Sequence, residues 1–407
     1  MRIAMIGTFG LSPRMTMSAR ALPLARSLVA RGHQVQIIMP PWHTPQEAGQ
    51  RWEEDGVGLE YVALRPRIPG LATAVISWRL LSRARRFRPD LIHIFKPKGF
   101  AGLAGWLHWH ANPLRSDRIP LIIDEDDWEG PGGWNDALPY PAIARRFFAW
   151  QERWGLRHAD AVTVASRTLQ SLAWAQGIEP GRVQHLPNGP RAWPMGDGAR
   201  VRAEFDLGDD PIVLLYTRFF EYDVARLVQA FARIHAAVPQ TRLLVVGRAL
   251  VPEDEDRFDL LVGQARLAES VVRAGWVSED ELPDYFAAAD LALYPFADTL
   301  INRCKCPVKL VDLLYSGVPV VADAVGEIRE YIRHGETGLL TPCDTPEAMA
   351  EAAIALLRDP VRRLELAGLA AAEMHTTYAW DTLAERLLDV YASVVPGQPE
   401  RSLRHST

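Results

Sequence analysis

The sequence has few cysteines and no long apolar run. Three of its 407 residues are cysteine, too few for a disulfide framework, and Cys304-x-Cys306 has no second Cys or His pair beside it to complete a zinc site. No stretch approaches the roughly 18 apolar residues of a membrane-spanning helix. The first residues, Arg2–Gly7, have the pattern of a buried strand and not of a signal peptide. We therefore expect a cytoplasmic protein.

The chain also lacks a dinucleotide fingerprint and a uniform charge. Gly7-Thr8-Phe9-Gly10 does not have the GxGxxG spacing, which disfavours a dehydrogenase. Residues 1–200 hold 25 Lys and Arg against 17 Asp and Glu, whereas residues 201–407 hold 20 against 33. A basic first half suits an anionic acceptor or an acidic membrane surface. The acidic second half argues against nucleic acid as a partner.

Alternating strand and helix patterns predict an α/β protein with two domains. β-branched runs alternate with helical stretches in residues 2–176 and again in 212–357, separated by a Pro-, Gly- and Asp-rich linker at 187–211. Two such series indicate two Rossmann-like parallel sheets, whose ligands bind at the carboxyl ends of the strands, so the cleft between the halves is the expected site. Among the predicted elements are a strand over Leu59–Leu64 and helices that start at Arg20 or span Asp256–Ala268 and Ile328–His334.

The most informative stretch is Val308–Gly338. Lys309 and Asp312 are three residues apart and therefore share one helix face. Gly317 ends the helix, and Val318–Ala322 follows as a short strand buried on both faces. A helix that carries a cation and a carboxylate beside a parallel strand suits a nucleotide, with the carboxylate on ribose hydroxyls and the cation on a phosphate.

Several motifs together resemble family 4 glycosyltransferases, which have the GT-B fold. Asp312 matches the second acidic position of the donor-binding motif, and 317–321 match its Gly-x-Pro-Val-Val end. The other similar segments are the strand, loop and helix of 1–35, His158-Ala-Asp160 with Ser166, and the Pro187-Asn188-Gly189 junction. The resemblance covers about nine tenths of the chain.

This resemblance implies a metal-independent, cofactor-free, retaining enzyme. It would move a hexosyl unit from an NDP-sugar, UDP- or GDP-linked, to a hydroxyl of a saccharide or lipid-linked glycan, and the departing phosphate would take the acceptor proton. We expect an acceptor-binding domain at 1–190, joined by a returning C-terminal helix at 378–395. We expect a nucleotide-sugar domain at 191–377 and a disordered tail at 396–407.

The resemblance also implies donor-site residues in the second half. Asp312 would anchor the nucleoside, and Arg218 would contact the diphosphate because its guanidinium fork suits phosphate oxygens. The family's phosphate-binding lysine is absent, with Tyr222 or Asp223 in its place. The replacement candidates are Lys309, Lys305 and Arg303, and Asp298 is the nearest upstream substitute for the missing first acid, whose position Cys304 occupies. Surface ion pairs and a loop-capping aspartate are the structural alternatives.

Candidates in the first half lie at the ends of predicted strands. Gly10 and Arg14 belong to the loop after the first strand, where glycine lets the backbone approach a ligand. Asp126 and Asp127 belong to an acidic run that suits a sugar or acceptor, with a metal site as a rival. The acceptor-binding candidates at the fourth strand are His93, Lys96 and Lys98. A tight turn and a satisfied buried histidine are the alternatives.

Two basic, aromatic segments raise the question of lipid contact. Residues 78–87 and 145–157 combine arginines with tryptophan and phenylalanine, as faces that lie on anionic lipid do. A solvated arginine face is the alternative. Two other functions stay open: a nucleotide-sugar 2-epimerase of the same fold, and a nucleotide-sugar-binding protein that has lost activity.

Overall fold

The computed structural model describes residues 1–13, 16–65, 68, 70–111 and 118–395. The chain divides into two compact units. The first unit comprises 1–189, the three residues 304–306 and the described residues from 379 onward, and the second comprises 190–303 and 307–378. The expected tail at 396–407 lies outside the described residues.

The first unit is built on an eight-stranded sheet of order β3-β4-β2-β1-β5-β6-β7-β8. Its strands are β1 Arg2–Gly7, β2 Gln34–Met39, β3 Arg51–Glu54, β4 Val57–Tyr61, β5 Leu91–Phe95, β6 Leu121–Glu125, β7 Ala161–Val164 and β8 Val183–His185. All neighbours pair in parallel except the β3–β4 hairpin. Strands β5 and β6 are buried at every position, because helices cover both faces of a parallel sheet.

Helices connect these strands. They are α1 Leu22–Ala30, α2 Leu71–Arg86, α3 Gly99–His110, α4 Trp134–Ala137, α5 Ala142–His158 and α6 Arg167–Ala175, with 3₁₀ turns at Pro45–Glu47 and Pro180–Arg182. A π-helical segment, Met17–Ala21, leads into α1. The helical stretch therefore begins at Met17, before Arg20, the predicted start.

The second unit has a six-stranded parallel sheet of order β11-β10-β9-β12-β13-β14. Its strands are β9 Ile212–Tyr216, β10 Arg242–Val246, β11 Val271–Gly275, β12 Leu291–Tyr294, β13 Val320–Asp323 and β14 Leu339–Thr341. Its helices are α7 Gly198–Glu204, α8 Val224–Ala237, α9 Pro252–Gln264, α10 Leu282–Ala288, α11 Leu300–Cys304, α12 Val308–Tyr315, α13 Ile328–Tyr331, α14 Pro346–Arg358 and α15 Pro360–Thr376, with a 3₁₀ turn at Ala268–Ser270. The last residue of α11, Cys304, groups with the first unit.

Several predicted elements have different bounds in the structure. The strand predicted to reach Leu64 ends at Tyr61. The helix predicted from Asp256 begins at Pro252, where proline fits because its missing N–H has no intrahelical partner in the first turn. The helix from Ile328 ends at Tyr331, since Ile332 is already extended.

The strand order reverses once in each sheet. In the first unit β1 and β5 are neighbours, and in the second unit β9 and β12 are neighbours. Helices on opposite faces diverge at such a point and leave a crevice beyond the carboxyl ends of the strands, which is where open α/β sheets bind ligands. The loops after β1, β5 and β9 are therefore the places to look for function.

The last helix, α16 (Trp380–Val394), packs into the first unit. Its Leu383, Leu387 and Tyr391 are fully buried in the same hydrophobic core as residues of β1 and α1. The Arg31 guanidinium of the first unit contacts Asp381 at 2.7 Å. This packing agrees with the returning C-terminal helix of the GT-B fold.

Replacement of Leu387 by alanine tests this packing. Leu387 is fully buried, so L387A should lower the free energy of unfolding by about 2–5 kcal/mol. The matched control is L364A, because Leu364 of α15 is 74% exposed and should change stability by less than about 0.5 kcal/mol. Urea unfolding followed by circular dichroism measures both, and equal effects of the two substitutions would contradict the packing of α16.

Candidate functional site

Two cations lie at the carboxyl end of β9, where the second sheet reverses its order. Arg218 follows the strand by two residues, and its side chain is 41% exposed, with a long contact of 3.9 Å to Glu221. Lys309, in the first turn of α12, has its Nζ 4.6 Å from the ring centre of Tyr216, the last residue of β9. Sequence analysis selected both residues, and the structure brings them to the same strand end.

The loop after β10 approaches this strand end closely. Gly247 has φ +115°, and a Cβ there would lie 2.0 Å from the carbonyl oxygen of Thr217. Only glycine fits this position, because both its backbone conformation and the contact exclude a side chain. The loop after β10 therefore packs directly against the backbone that leads to Arg218.

The Asp312 carboxylate is fully buried and occupied by protein donors. The Arg191 Nη2 donates to Oδ2 at 2.8 Å, and the Trp193 Nε1 donates to Oδ1 at 3.1 Å. Burial raises the pKa of Asp312, an effect that Arg191 opposes. Ribose hydroxyls would reach this carboxylate only by displacing one of these donors, so the nucleoside-anchoring role stays a prediction. Neither Arg191 nor Trp193 was selected from the sequence, where nothing marks them as partners of a residue about 120 positions away.

Arg303 and Asp298 bind each other. The Arg303 guanidinium contacts both carboxylate oxygens, with the Nη2–Oδ2 distance at 2.7 Å. The Arg303 hydrogen bond lowers the pKa of Asp298. The pair is partly exposed, and any contact of either residue with a donor sugar stays a prediction.

Lys305 does not group with the other predicted phosphate-binding cations. It belongs to the first unit, where its Nζ lies 5.3 Å from the ring centre of Trp134. Neighbouring Cys304 is fully buried, and the Ser166 hydroxyl donates to its carbonyl oxygen at 2.7 Å. The cations of the Asn302–Lys309 segment are thus divided between the units, which a linear motif does not reveal.

Carboxylates and lysines form a buried network at the carboxyl ends of β5 and β6. The Lys96 Nζ is 2.8 Å from Asp127 Oδ2 and 3.6 Å from Asp126 Oδ1, and the Thr16 hydroxyl donates to Asp126 at 2.7 Å. Burial raises the pKa of Asp126. Burial also acts to raise the pKa of Asp127, but Lys96 and Lys305 outweigh it and the pKa lies below its usual value. Asp127 is therefore the more firmly ionised of the two.

Lys98 completes this network. Its Nζ lies 2.5 Å from Glu129 Oε2 and within 5 Å of the ring centres of Tyr140 and Phe148. The two lysines selected as acceptor-binding residues thus neutralise buried acids of their own chain. An acceptor would have to displace these carboxylates to bind the two lysines, so their contact with an acceptor stays a prediction.

His93 has the environment of a satisfied buried histidine. Its Nδ1 is 2.8 Å from the Tyr391 hydroxyl of α16, and burial lowers its pKa to about 4. Nearby, Arg20 binds Asp124 through two hydrogen bonds of 2.6 and 2.7 Å, with both side chains buried. Arg20 also donates to Asn188 of the predicted junction motif at 3.0 Å. These contacts connect β5, β6, α16 and the end of the first unit.

The loop after β1 is tightly packed. Gly10 lies against Tyr61, whose hydroxyl accepts from the Leu11 N–H at 3.1 Å. The Thr8 hydroxyl donates to the carbonyl oxygens of Lys96 and Lys98 at 2.6 and 2.9 Å, joining this loop to the one after β5. Arg14 lies outside the described residues.

Sequence analysis missed two buried glutamates beside the network. Neither carboxylate oxygen of Glu125 has a hydrogen-bond partner among the described residues, and burial next to Glu152 raises its pKa well above the usual range. Burial raises the pKa of Glu152 to about 8, and its Oε1 accepts from the Glu129 N–H at 2.8 Å. Glu125 was visible in the acidic run, but Glu152 lies in a helical stretch read as basic and aromatic.

Among residues 1–13, 16–65, 68, 70–111 and 118–395, no group of three or more His, Cys, Asp or Glu side chains is arranged to hold a metal ion. Metal independence itself stays a prediction. Across the same residues, no helix combines the length and the apolar character needed to cross a bilayer.

The raised pKa of Glu152 predicts a pH-dependent stability. A carboxyl whose pKa is about 8 in the folded state and ordinary in the unfolded state favours folding at low pH, and that contribution is lost as pH rises from about 5 through 8. A tenfold difference in acidity between the two states corresponds to about 1.4 kcal/mol of stability. E152Q keeps the Oε1 acceptor and should flatten the decline in the free energy of unfolding between about pH 5 and 9.

Urea unfolding at a series of pH values measures this effect. The exposed Glu53, replaced by glutamine, is the control and should leave the pH profile unchanged. A profile of E152Q parallel to that of the unsubstituted protein would contradict a protonated Glu152.

Solved structures with the same fold include several sugar-transferring proteins. The chain superposes on sucrose-phosphate synthase from Thermosynechococcus elongatus with a TM-score of 0.72 at 22% identity, covering 96% of this chain and 98% of that one. The catalytic domain of starch synthase IV from Arabidopsis thaliana gives 0.74 at 13% identity, with 97% and 99% covered. Anabaena HepE in complex with UDP gives 0.73 at 18% identity, with 97% and 100% covered.

Sequence relatives extend over most of the chain. A GDP-mannose-dependent alpha-mannosyltransferase of Mycobacterium tuberculosis is 26% identical over 402 residues, 97% of each chain. A phosphatidyl-myo-inositol mannosyltransferase of Mycobacterium leprae is 25% identical over 407 residues, again 97% of each. The match with D-inositol 3-phosphate glycosyltransferase of Acidothermus cellulolyticus is 30% identical, but it spans 57% of this chain and about half, 54%, of that protein.

Two family profiles match successive parts of the chain. Residues 16–189 match the glycosyl transferase 4-like domain, and residues 210–359 match the glycosyl transferases group 1 domain. They correspond to the two Rossmann-like sheets described above. The chain is therefore a glycosyltransferase that belongs to the group 1 family with the GT-B fold.

Proposed function

We propose that the protein is a retaining hexosyltransferase that uses GDP-mannose and glycosylates a hydroxyl of a saccharide or of an inositol-containing, lipid-linked acceptor. The full-length similarity to a GDP-mannose-dependent alpha-mannosyltransferase and to a phosphatidyl-myo-inositol mannosyltransferase supports this donor and this class of acceptor. A UDP-sugar is the second candidate donor, since a structural neighbour binds UDP. The relatives give no support to the 2-epimerase alternative.

The observation that carries the proposal is the pair of cations at the end of β9. Breaking a sugar–diphosphate bond leaves negative charge on the departing phosphate, and fixed positive groups stabilise that charge most in a site that excludes water. Arg218 is partly exposed, and the acidic side chain nearest to its guanidinium in the described chain, Glu221, is 3.9 Å away, so the guanidinium is available for a diphosphate. Lys309 lies over Tyr216 at the same strand end and would supply a second charge.

A retaining reaction of this kind needs no general base from the protein. The departing phosphate oxygen takes the proton of the acceptor hydroxyl, while Arg218 and Lys309 hold the diphosphate. Asp312 acts in this scheme as a positioning residue, because it binds Trp193 and holds Arg191, whose guanidinium contacts the Tyr216 side chain.

The two residues at the position of the family's phosphate-binding lysine, Tyr222 and Asp223, have structural roles. Tyr222 is buried and donates its hydroxyl to the Tyr216 carbonyl at 3.2 Å, and the Asp223 side chain caps the N-terminus of α8. Loss of this lysine supports the alternative of an inactive nucleotide-sugar-binding protein. Lys309 at the same strand end argues for activity, because the positive charge has been supplied from α12.

We also propose a peripheral membrane contact through α5 of the first unit. Ile143 is 84% exposed and Trp150 is 40% exposed, and both lie on a helix with arginines at 145, 146, 153 and 157. An apolar stripe flanked by arginines suits an anionic lipid surface, at which tryptophan is enriched. A lipid-linked acceptor would be reached from such a position.

Neutral substitutions at the β9 end test the donor site. R218A and K309A should each weaken GDP-mannose binding about tenfold or more, because each removes a charge-assisted contact worth roughly 1.5–3 kcal/mol. The control is R233A, which removes a partly exposed arginine of α8 that is not among the predicted donor-site residues. Calorimetric titration measures all three affinities, and unchanged affinity in both R218A and K309A would remove these residues from the donor site.

The nucleotide and the stereochemistry are separate predictions. In a thermal-shift series, GDP and GDP-mannose should raise the melting temperature more than UDP, ADP and their sugars, because a ligand that binds the folded state stabilises it more as its affinity rises.

With an accepting inositol derivative, the product should carry an α-linked mannose, detected by NMR. A β-linked product would contradict a retaining reaction. Hydrolysis of the donor by water alone would not contradict it.

A further inference from the structure

A cavity in the first unit is lined by an unusual number of arginines. It has a volume of about 340 Å³ and lies between α2, the β3–β4 hairpin and the segment that follows β4. Its lining includes Arg51, Arg79, Arg83 and Arg86 with a single carboxylate, Glu60. Four guanidinium groups against one carboxylate give the cavity a net charge of +3.

Helical spacing explains why α2 contributes most of this surface. Positions 82, 83 and 86 follow position 79 at spacings of three, four and seven residues, with 82 and 83 adjacent, and all four therefore project from one side of the helix. Trp78, at the same side, is 58% exposed. Ser82 adds a hydroxyl to the lining.

Most guanidinium donors in the cavity are not used by the protein. The Glu60 carboxylate accepts from Arg51 and Arg83, both at 3.0 Å, through one nitrogen of each. Arg79 uses its Nη1, which donates to the carbonyl oxygens of Ala63 and Arg65. In the described part of the chain, the Arg86 guanidinium has no hydrogen bond or ion pair.

These observations define the chemistry of a ligand. Guanidinium groups present paired N–H donors that match the oxygens of phosphate, and several of them converging on one space suit a group with several anionic oxygens. Here the arginines converge on one partly open cavity. We propose that this cavity, the α2 arginine pocket, is a binding site for the phosphoryl group of a phosphate ester.

The α2 arginine pocket is distinct from the proposed donor site. None of Arg218, Lys309 or Asp312 lines it, so it does not serve the departing diphosphate. It shares Tyr61 with the loop after β1, since the Tyr61 hydroxyl accepts from the Leu11 N–H. A phosphorylated acceptor, or the headgroup of a phospholipid beside it, would therefore be held by the first unit.

Binding of inorganic phosphate and of glycerol 3-phosphate to the full chain, measured by calorimetry without any nucleotide sugar, tests the proposal. R86Q and R79Q should each weaken both ligands roughly tenfold, as expected for loss of a hydrogen bond to a charged group. E60Q neutralises the one carboxylate among the described residues that line the pocket and should strengthen binding several-fold. The control is R386Q, because Arg386 is an exposed arginine of α16 outside the pocket, and the affinity of this variant for both ligands should not change.

The opposite responses of E60Q and R86Q keep the test independent of folding defects. A misfolded variant loses affinity, so a gain in E60Q or a selective loss in R86Q with an unchanged melting temperature supports the pocket. Absence of phosphate binding at low ionic strength, or equal affinities in R86Q, R79Q and R386Q, overturns the proposal. GDP-mannose affinity should be unaltered in R86Q. If the unsubstituted protein binds phosphate but not GDP-mannose, the proposed function is contradicted and the pocket is not.

Vesicles distinguish the two sources of the phosphoryl group. If the protein sediments with phosphatidylglycerol vesicles but not with phosphatidylcholine vesicles, and R86Q weakens this sedimentation, the ligand is an anionic lipid headgroup. If glycerol 3-phosphate binds at least as tightly as the phosphatidylglycerol vesicles, the ligand is a soluble phosphate ester.

Discussion

Burial of charge at the ends of parallel strands is the constraint on which the structure depends. Every charged group removed from water must be paired, hydrogen-bonded or protonated, because an isolated buried ion is far more costly than a paired one. In the first unit Asp124 meets this requirement through Arg20, Asp127 through Lys96, and Glu129 through Lys98. Glu125 and Glu152 meet it by raised pKa values.

The same constraint organises the second unit, with one difference. Asp312 is buried and fully engaged by Arg191 and Trp193, while Arg218 at the neighbouring strand end is left partly exposed. Carboxylates are thus neutralised inside the protein and cations are presented outward. A unit with a large excess of acidic residues in its sequence can therefore still offer a positive site to a nucleotide diphosphate.

Sequence periodicity and motif order were sufficient for the fold. The two alternating strand and helix series predicted over 2–176 and 212–357 and the returning C-terminal helix are present, because long apolar patterns leave little choice. Short elements without such patterns were missed, among them β3, β8 and α11. The β3–β4 hairpin matters most of these, since it supplies one wall of the α2 arginine pocket.

Local pattern and motif order were enough to predict the two Rossmann-like sheets, the family and the strand ends at which charged residues gather. Which charges meet could be seen only in the folded chain. Lys305 joined the acids of the first unit, Asp312 received Arg191, and His93 became a buried partner of Tyr391. Such pairings join residues up to 298 positions apart, and they depend on how helices and strand-end loops pack, which no local pattern encodes.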